Sequence, residues 1–192
     1  MQIDITMQVT PEMLHDAPGK ENKALIGHIG THFDVMEQEF PLEYTERKGI
    51  FFDVSHIRDR EIDIADIDMN KAEKDMFVGF FTHFIEEIGY GGKEYFGDHP
   101  QLSHALIDAL VEKGVSLIGL DCAGIRRGKE HIPKDRFCAE RGVFVIENLC
   151  SLQKIVDAGG RCVVHTYPVN YLGMSGLPCR VVAEIAEKET AE

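Results

Sequence analysis

The chain has 192 residues and a formal charge of −13, from 20 basic and 33 acidic side chains, and 44% of its residues are hydrophobic. This length predicts one domain spanning residues 1–192, because domains usually contain roughly 100–200 residues. The acidic balance argues against binding to nucleic acid or to an anionic membrane, since both require basic patches. No apolar run approaches the ~20 residues of a membrane-spanning helix.

The N-terminus and the cysteines indicate where the protein resides. The opening residues MQIDITMQV alternate apolar and polar, and they lack the basic start and apolar middle of a signal peptide. The five cysteines are an odd number, are well separated and include no CxxC pair, so they predict free thiols rather than disulfides or a thiolate zinc site. We therefore expect a soluble cytoplasmic protein.

The predicted strands run along most of the chain. Ile3, Ile5, Met7 and Val9 alternate with polar residues and indicate an opening strand. Further candidates are rich in Val, Ile and Phe and are bounded by Gly, Asp or Asn. They are Leu25–Ile29, Ile50–Val54, Met76–Phe81, Val115–Asp121, Val143–Ile146, Cys162–His165 and Arg180–Ile185.

The clearest helix is predicted at Leu102–Glu112, where apolar residues recur at helical spacing and Gly114 follows as a stop. Strands outnumber helices, and the helices come singly between them. This order predicts a mixed α/β domain with a substantial sheet.

Three good metal ligands lie close together in the stretch His28-Ile29-Gly30-Thr31-His32-Phe33-Asp34. Alternation at the end of a strand places His32 and Asp34 on one side, and His28 shares it if the strand stays regular. Gly30 allows another backbone or an ion to approach closely. Two imidazoles and a carboxylate suit Zn²⁺ and tolerate Mn²⁺ or Fe²⁺. Spacing alone leaves open that these are two surface histidines and a turn aspartate.

Two carboxylates end apolar strands. Glu147 follows Val143–Ile146, and a carboxylate there is costly to bury unless it is paired or ligated. On spacing alone a Glu emerging into solvent is the favoured alternative. Asp121 ends Val115–Leu120, and we expect it to accept structural hydrogen bonds.

The HxGTHxD run resembles the metal-binding signature of the cyclase, or kynurenine formamidase (arylformamidase), family, which includes isatin hydrolase-like enzymes. The order of later motifs is similar as well, over about residues 25–185. These motifs are Gly49-Ile50-Phe51-Phe52-Asp53-Val54-Ser55, Asp98-His99-Pro100-Gln101-Leu102-Ser103, Gly119-Leu120-Asp121, Val145-Ile146-Glu147-Asn148-Leu149 and Gly176-Leu177-Pro178-Cys179-Arg180-Val181-Val182-Ala183. The resemblance implies a swivelling β/β/α domain with a mixed sheet flanked by helices, and a homodimer or homotetramer.

The resemblance also implies a metal centre of one or two Zn²⁺ or Mn²⁺ ions. It assigns His28, His32, Asp34 and Glu147 as ligands. The family's remaining ligand is a histidine about a dozen residues before the glutamate, where this chain has Asp135. Either Asp135 is an oxygen ligand, or a small insertion lets His131 reach the metal; we favour Asp135.

The catalytic position departs from the family pattern. The signature usually continues to a proton-transferring histidine, and here that position holds Gln38, in the run Asp34-Val35-Met36-Glu37-Gln38. An amide can orient a substrate or a water but cannot exchange protons near neutral pH. Glu37 and Glu39 flank it and are candidates to substitute, with solvated turn residues as the alternative.

Two functions fit these residues. The first is a metal-dependent hydrolase that uses a metal-bound hydroxide to cleave a non-peptide C–N bond in a small amide, either an aryl formamide or a cyclic amide. The second is a metal- or ligand-binding member of the same fold that has lost catalysis. Retention of four ligands favours the enzyme, whereas Gln38 and Asp135 favour the alternative.

Overall fold

The computed structural model describes residues 1–7 and 27–185, which form eight β-strands and five α-helices. The strands are β1 (Gln2–Asp4), β2 (His32–Asp34), β3 (Glu46–Asp53), β4 (Phe77–Phe81), β5 (Leu117–Leu120), β6 (Phe144–Glu147), β7 (Arg161–Pro168) and β8 (Gly176–Glu184). The helices are α1 (Phe84–Ile88), α2 (Lys93–Asp98), α3 (His104–Lys113), α4 (His131–Ala139) and α5 (Gln153–Asp157). Short 3-10 helices are at Leu42–Thr45, Ile64–Asp66, Met69–Lys71 and Gly128–Glu130.

The strands form one mixed sheet that closes on itself. Seven strands follow one another in the order β8-β2-β6-β5-β4-β3-β7, and β7 pairs with β8 to complete the ring. The β3–β4, β4–β5 and β5–β6 pairs are parallel, and the others are antiparallel. β1 pairs with β8 as well, along the same edge of β8 that pairs with β2. This confirms the predicted α/β class with a mixed sheet flanked by helices.

One face of the sheet surrounds an aromatic and aliphatic interior. Phe33, Phe51, Phe77 and Ile146 belong to this cluster, and the rings of Phe51 and Phe77 stack with centroids 5.2 Å apart. Gly79 makes room for them, because a Cβ there would lie 2.1 Å from the Phe51 ring. The absence of a side chain at Gly79 therefore lets the strands close around the bulky Phe51 ring.

The other face carries the helices. Val78, Phe80 and Ile118 alternate with the interior residues and join the buried cluster that contains Leu106 and Leu110 of α3. The helix α3 begins at the cap Ser103, whose Oγ accepts a hydrogen bond of 3.1 Å from the Leu106 backbone N–H. The helix α4 packs against β6 and β2, and this contact forms the candidate functional site.

The predicted elements largely correspond to the observed ones. The first part of the opening strand matches β1, and its predicted end at Val9 lies outside the described residues. The six predicted strands from Ile50 onward match β3–β8, and the predicted helix Leu102–Glu112 matches α3. The strand predicted at Leu25–Ile29 is not observed over residues 27–29, and Leu25 and Ile26 lie outside the described residues. Within the described ranges, no helix is long and apolar enough to cross a membrane.

Candidate metal centre

The site begins with two neighbouring antiparallel strands. His32 of β2 is the cross-strand partner of Glu147 of β6. Because side chains alternate along a strand, Phe33 faces the interior while His32 and Asp34 face the opposite side, as Glu147 does beside Ile146. His32 Nε2 lies 3.7 Å from Asp34 Oδ1 and 3.6 Å from Glu147 Oε2.

His28 joins this group from a turn rather than from a strand. Its Nδ1 lies 3.0 Å from Asp34 Oδ1 and 3.0 Å from His32 Nε2. Regular alternation from His28 to Asp34 is therefore not what brings it there. Gly30, at φ 71°, turns the chain between His28 and the strand, which is a conformation that glycine adopts without strain.

Hydrogen bonds fix how both imidazoles face the centre. His32 Nδ1 donates to the Gly30 carbonyl at 2.8 Å, so its Nε2 is turned toward the carboxylates. His28 Nε2 lies 2.9 Å from Ser175 Oγ, which leaves its Nδ1 toward the centre. Asn148 Nδ2 donates to the same Gly30 carbonyl at 2.9 Å. A ring held by one nitrogen and open at the other is the arrangement in which histidine binds a metal.

The helix α4 supplies a second pair of ligand types. His131 and Asp135 are one helical turn apart, so both face β6. His131 Nε2 lies 3.1 Å from Asp135 Oδ2 and 3.0 Å from Glu147 Oε1. The sequence posed Asp135 and His131 as alternatives, whereas the helix brings both to the same place.

The carboxylates of this cluster are buried, and their close partners are imidazole nitrogens. Asp34 and Asp135 are fully buried and Glu147 is 4% exposed. Nitrogens of His28 and His131 lie 3.0–3.1 Å from these carboxylates, but among residues 1–7 and 27–185 both oxygens of Asp34 and Asp135, and Oε1 of Glu147, form no hydrogen bond of normal geometry. Burying such groups is costly unless they are paired or coordinate a metal, so the donor set fits a divalent cation.

The cluster holds protons tightly when no cation is present. Burial alone lowers the pKa of His32, but contact with Asp34 and the charges of Asp34 and Glu147 outweigh it and raise the pKa to about 9. His131 behaves in the same way: burial lowers its pKa, and Asp135 and Glu147 raise it to about 11. Protonated imidazoles thus balance the buried carboxylates.

The two aspartates respond in opposite directions. Burial raises the pKa of Asp34, but contacts with His28 and His32 outweigh it and hold the pKa well below its usual range. Burial also raises the pKa of Asp135, and this effect exceeds the contact with His131, so the pKa reaches about 8. Of the two aspartates, Asp34 is therefore the one more firmly held as an anion.

A cavity of about 400 Å³ opens onto this cluster. Met36, Phe96 and Ile132 supply apolar surface to its wall. Glu37 and Arg136 also line it, and Arg136 Nη1 lies 2.9 Å from Glu37 Oε2. A pocket of this size, with an apolar wall beside a cluster of directed polar groups, suits a small organic ligand.

Of the three residues predicted for proton transfer, Glu37 is the one that lines this cavity. Gln38 and Glu39 line a second cavity beside Tyr167 and Leu172, and Glu37 lines that cavity too. Met36 and Glu37 have φ values of 47° and 65°, so the chain does not continue the alternation of β2. Glu37 thus lies between the two cavities.

Asp121 has the structural role that the sequence suggested. Its Oδ1 accepts from the Thr82 backbone N–H at 2.9 Å and from Thr82 Oγ1 at 2.6 Å, and its Oδ2 accepts from the His83 N–H at 2.7 Å. It fixes the start of α1 rather than contributing to the metal cluster.

Sequence reasoning missed several residues that shape the site. Ser175 contacts the His28 ring, Asn148 donates to the Gly30 carbonyl that holds His32, and Arg136 pairs with Glu37. Asn148 directly follows Glu147 and has φ 59°, a conformation in which Asn is enriched. That position next to a predicted ligand was the available signal, whereas Ser175 lies 147 residues from His28 and carried none.

The geometry thus defines a closed β-barrel-like domain with a buried histidine–carboxylate centre on its outer face, beneath α4. Residues 3–126 match the Putative cyclase family. Because this match spans more than half of the chain, the protein belongs to the cyclase family. No curated protein matches the sequence.

Solved structures share the fold over nearly the whole chain. A potential metal-dependent hydrolase with cyclase activity is 22% identical, with a TM-score of 0.74 over 98% of this chain and 99% of that one. A predicted metal-dependent hydrolase from Bacillus stearothermophilus is 21% identical, with a TM-score of 0.69 over 95% and 97%. Isatin hydrolase A from Ralstonia solanacearum is 15% identical, with a TM-score of 0.75 over 97% and 92%. At these identities the similarity shows a common fold.

Proposed function

We propose that the protein is a metal-dependent hydrolase that cleaves a C–N bond in a small amide. The observation that carries the proposal is the convergence of two overlapping groups of ligand-type side chains, which are His28, His32 and Asp34, and Asp34, His131, Asp135 and Glu147. Both oxygens of Asp34 and Asp135, and Oε1 of Glu147, are buried without a hydrogen bond of normal geometry. Family membership and hydrolases among the proteins of the same fold support it.

The chemistry of the centre follows from its donors. A bound Zn²⁺ or Mn²⁺ supplies a Lewis acid, which lowers the pKa of water and polarises a carbonyl oxygen. His28 and His32 offer their free ring nitrogens, and Asp34, Asp135 and Glu147 offer oxygens. Ser175 and the Gly30 carbonyl hold the two rings in place, so binding a cation requires little rearrangement of these side chains.

Glu37 is the proposed proton-transfer residue. Hydrolysis of an amide requires a proton to reach the leaving nitrogen, and a carboxylate at the cavity wall can carry it. Arg136 holds the Glu37 carboxylate at 2.9 Å and therefore orients it. This role falls to Glu37 because Gln38 cannot exchange protons and, like Glu39, lines a different cavity.

The cavity favours a compact substrate with an apolar body. Its volume of about 400 Å³ and its walls of Met36, Phe96 and Ile132 accommodate one aromatic ring with a small amide. Aryl formamides and cyclic amides are therefore the proposed substrate classes. A neighbour of the same fold is named for hydrolysis of isatin, itself a cyclic amide.

Turnover by the metal-loaded protein tests this function. Aryl formamides and cyclic amides should be hydrolysed, and Glu37→Gln should lower the rate at least about a hundredfold while metal content stays the same. Glu39→Gln is the matched control, because Glu39 is an exposed carboxylate two residues away that does not line the metal cavity. Equal rates for Glu37→Gln and the unaltered protein would remove Glu37 from the mechanism.

Gln38 supports one alternative function. Since this position holds a histidine in the family pattern, the chain can instead be a metal- or ligand-binding member of the fold without catalysis. Full metal content with no turnover on either substrate class would favour that alternative.

We also propose a cytoplasmic homodimer or homotetramer with a small-molecule substrate. The free cysteines support the compartment, and the exposed Leu42, Tyr167 and Leu172 support self-association. Light scattering on the eluting protein should give two or four chains, and a monomer would contradict the assembly.

A further inference from the structure

We infer that the protein binds a free α-amino acid with an apolar side chain, as a zwitterion, in a cavity between the loops that contain Arg58, Asp98 and Arg127. This loop cavity has a volume of about 310 Å³. None of the described residues lines both the loop cavity and the metal cavity. The inference therefore goes beyond the proposed hydrolase and does not depend on it.

Three loops that are hydrogen-bonded to one another form the walls of the loop cavity. The Ile62 N–H donates to the Gln101 carbonyl at 2.8 Å, which joins the loop after β3 to the loop after α2. The Arg127 N–H donates to Gln101 Oε1 at 2.8 Å, and Arg127 Nη1 donates to the Gly97 carbonyl at 3.3 Å. Because these bonds already hold the loops together, a ligand does not have to order them when it binds.

Six charged side chains line the loop cavity among the described residues, and three of them form ion pairs with groups outside it. These pairs are Arg58–Glu87, Arg60–Asp66 and Glu61–Arg126, with N–O distances of 2.9, 2.6 and 2.7 Å. Their charges are thus largely compensated before any ligand binds.

The other three charged side chains have no ion-pair partner within residues 1–7 and 27–185. They are Asp59, Asp98 and Arg127. Arg127 donates to the carbonyl of Gly97, the residue before Asp98, yet the guanidinium and the Asp98 carboxylate do not pair. Uncompensated charges of both signs around one small cavity suit a zwitterion. Its carboxylate pairs with the Arg127 guanidinium, and its ammonium group pairs with Asp98.

His99 lines the loop cavity without adding a second positive charge. Its side chain is 1% exposed, and burial lowers its pKa to about 4. The imidazole is therefore neutral near pH 7. Among the described lining residues, Arg127 is thus the cation that is left for a ligand carboxylate.

The apolar part of the wall selects the side chain of the ligand. Phe84 and Pro100 line the loop cavity, and the Phe84 ring stacks on Tyr95 with centroids 5.9 Å apart. The volume of about 310 Å³ is at the lower end of the roughly 300–1,000 Å³ that is usual for ligand pockets. One amino acid, rather than a peptide, matches this space.

Isothermal titration calorimetry of the metal-loaded protein with L-leucine and L-phenylalanine tests the inference. At least one of the two amino acids should bind once per chain. The analogues that lack one charged group should bind at least about tenfold more weakly, because each leaves Arg127 or Asp98 without its partner. These analogues are isoamylamine and 4-methylpentanoate for leucine, and phenethylamine and 3-phenylpropionate for phenylalanine.

The same titration on chelator-treated protein separates the loop cavity from the metal centre. An amino acid can bind a metal ion through its amine and carboxylate, so binding at the centre would require the metal. The affinity at the loop cavity should be the same with and without metal.

Two variants assign the binding to the loop cavity. Arg127→Gln and Asp98→Asn should each raise the dissociation constant at least about tenfold. Arg141→Gln is the matched control, because Arg141 also donates to a backbone carbonyl, that of Phe137 at 3.0 Å, but does not line the cavity. Circular dichroism checks folding, and the nearly isosteric Asp98→Asn keeps the test valid if Arg127→Gln does not fold.

Four results would overturn the inference. They are no binding of either amino acid, equal affinity for the amine or acid analogues, loss of binding on chelation, and unchanged affinity in the folded variants of Arg127 and Asp98.

Discussion

Raising the pH of the metal-free protein from 6.5 to 9.5 should lower its free energy of unfolding. The pKa of His32 is about 9 in the folded chain against an ordinary value of 6.5. A folded-state pKa above the unfolded value gives stability that is fully present below pH 6.5 and is lost as the pH rises through 9. His131, with a pKa raised to about 11, contributes a loss in the same direction.

The magnitude for His32 follows from this difference. At about 1.36 kcal/mol per pKa unit, the shift from 6.5 to about 9 corresponds to roughly 3 kcal/mol. This is a large part of the total stability of a typical domain, which is about 5–15 kcal/mol. The fall should therefore be visible without any substitution.

Urea unfolding followed by circular dichroism measures this change. The protein is treated with a chelator, and its free energy of unfolding is compared at several pH values with that of the metal-loaded protein. In the loaded protein a cation takes the place of the protons on His32 and His131, so this part of the pH dependence should disappear. Metal-free stability that stays constant or rises over this range, or an equal fall in the loaded protein, would refute the reasoning.

Two further predictions concern single substitutions. Gly79→Ala should lower the free energy of unfolding by about 1–3 kcal/mol, because the new Cβ would lie 2.1 Å from the Phe51 ring. The control in urea unfolding is Gly97→Ala in α2, where nothing lies within 4 Å of the new Cβ. Equal losses of stability in the two variants would contradict the steric argument. His32→Ala should abolish metal retention, since it removes the ring between Asp34 and Glu147, and a variant that elutes with full metal content would show that His32 is not a ligand.

Much of the fold was predictable because the strand pattern is local. The predicted runs Met76–Phe81 and Val143–Ile146 are bounded by polar residues or glycine, and they overlap the observed strands Phe77–Phe81 and Phe144–Glu147. The closure of the sheet was not predictable in this way. It depends on β7 and β8 pairing on one side while β8 pairs with β2 on the other, and no local pattern carries that information.

The metal cluster was predictable where ligands are close in sequence or end a strand. Alternation placed His32 and Asp34 on one side, whereas Glu147 was assigned as a ligand by the family resemblance, because spacing alone favoured a Glu emerging into solvent. The three residues face one another across β2 and β6. Alternation placed His28 beside them only if the strand stayed regular; the strand does not, and a turn at Gly30 brings His28 to the centre instead.

The contribution of α4 was the part that the sequence left open. The helix contains Pro133 and has little amphipathic pattern, so its start at His131 gave no clear signal. Once the helix is formed, residues 131 and 135 lie one turn apart and face β6 together. Counting residues back from Glu147 made Asp135 and His131 alternatives, but in the helix both residues reach the site together.

The most direct test of the account is the metal content of the protein purified without a chelator, measured by elemental analysis and expressed per chain. The histidine–carboxylate centre predicts one to two equivalents of Zn²⁺ or Mn²⁺, which a chelator should remove and added ion should restore. A protein that is purified without metal and also fails to bind added Zn²⁺ and Mn²⁺ would contradict the central claim.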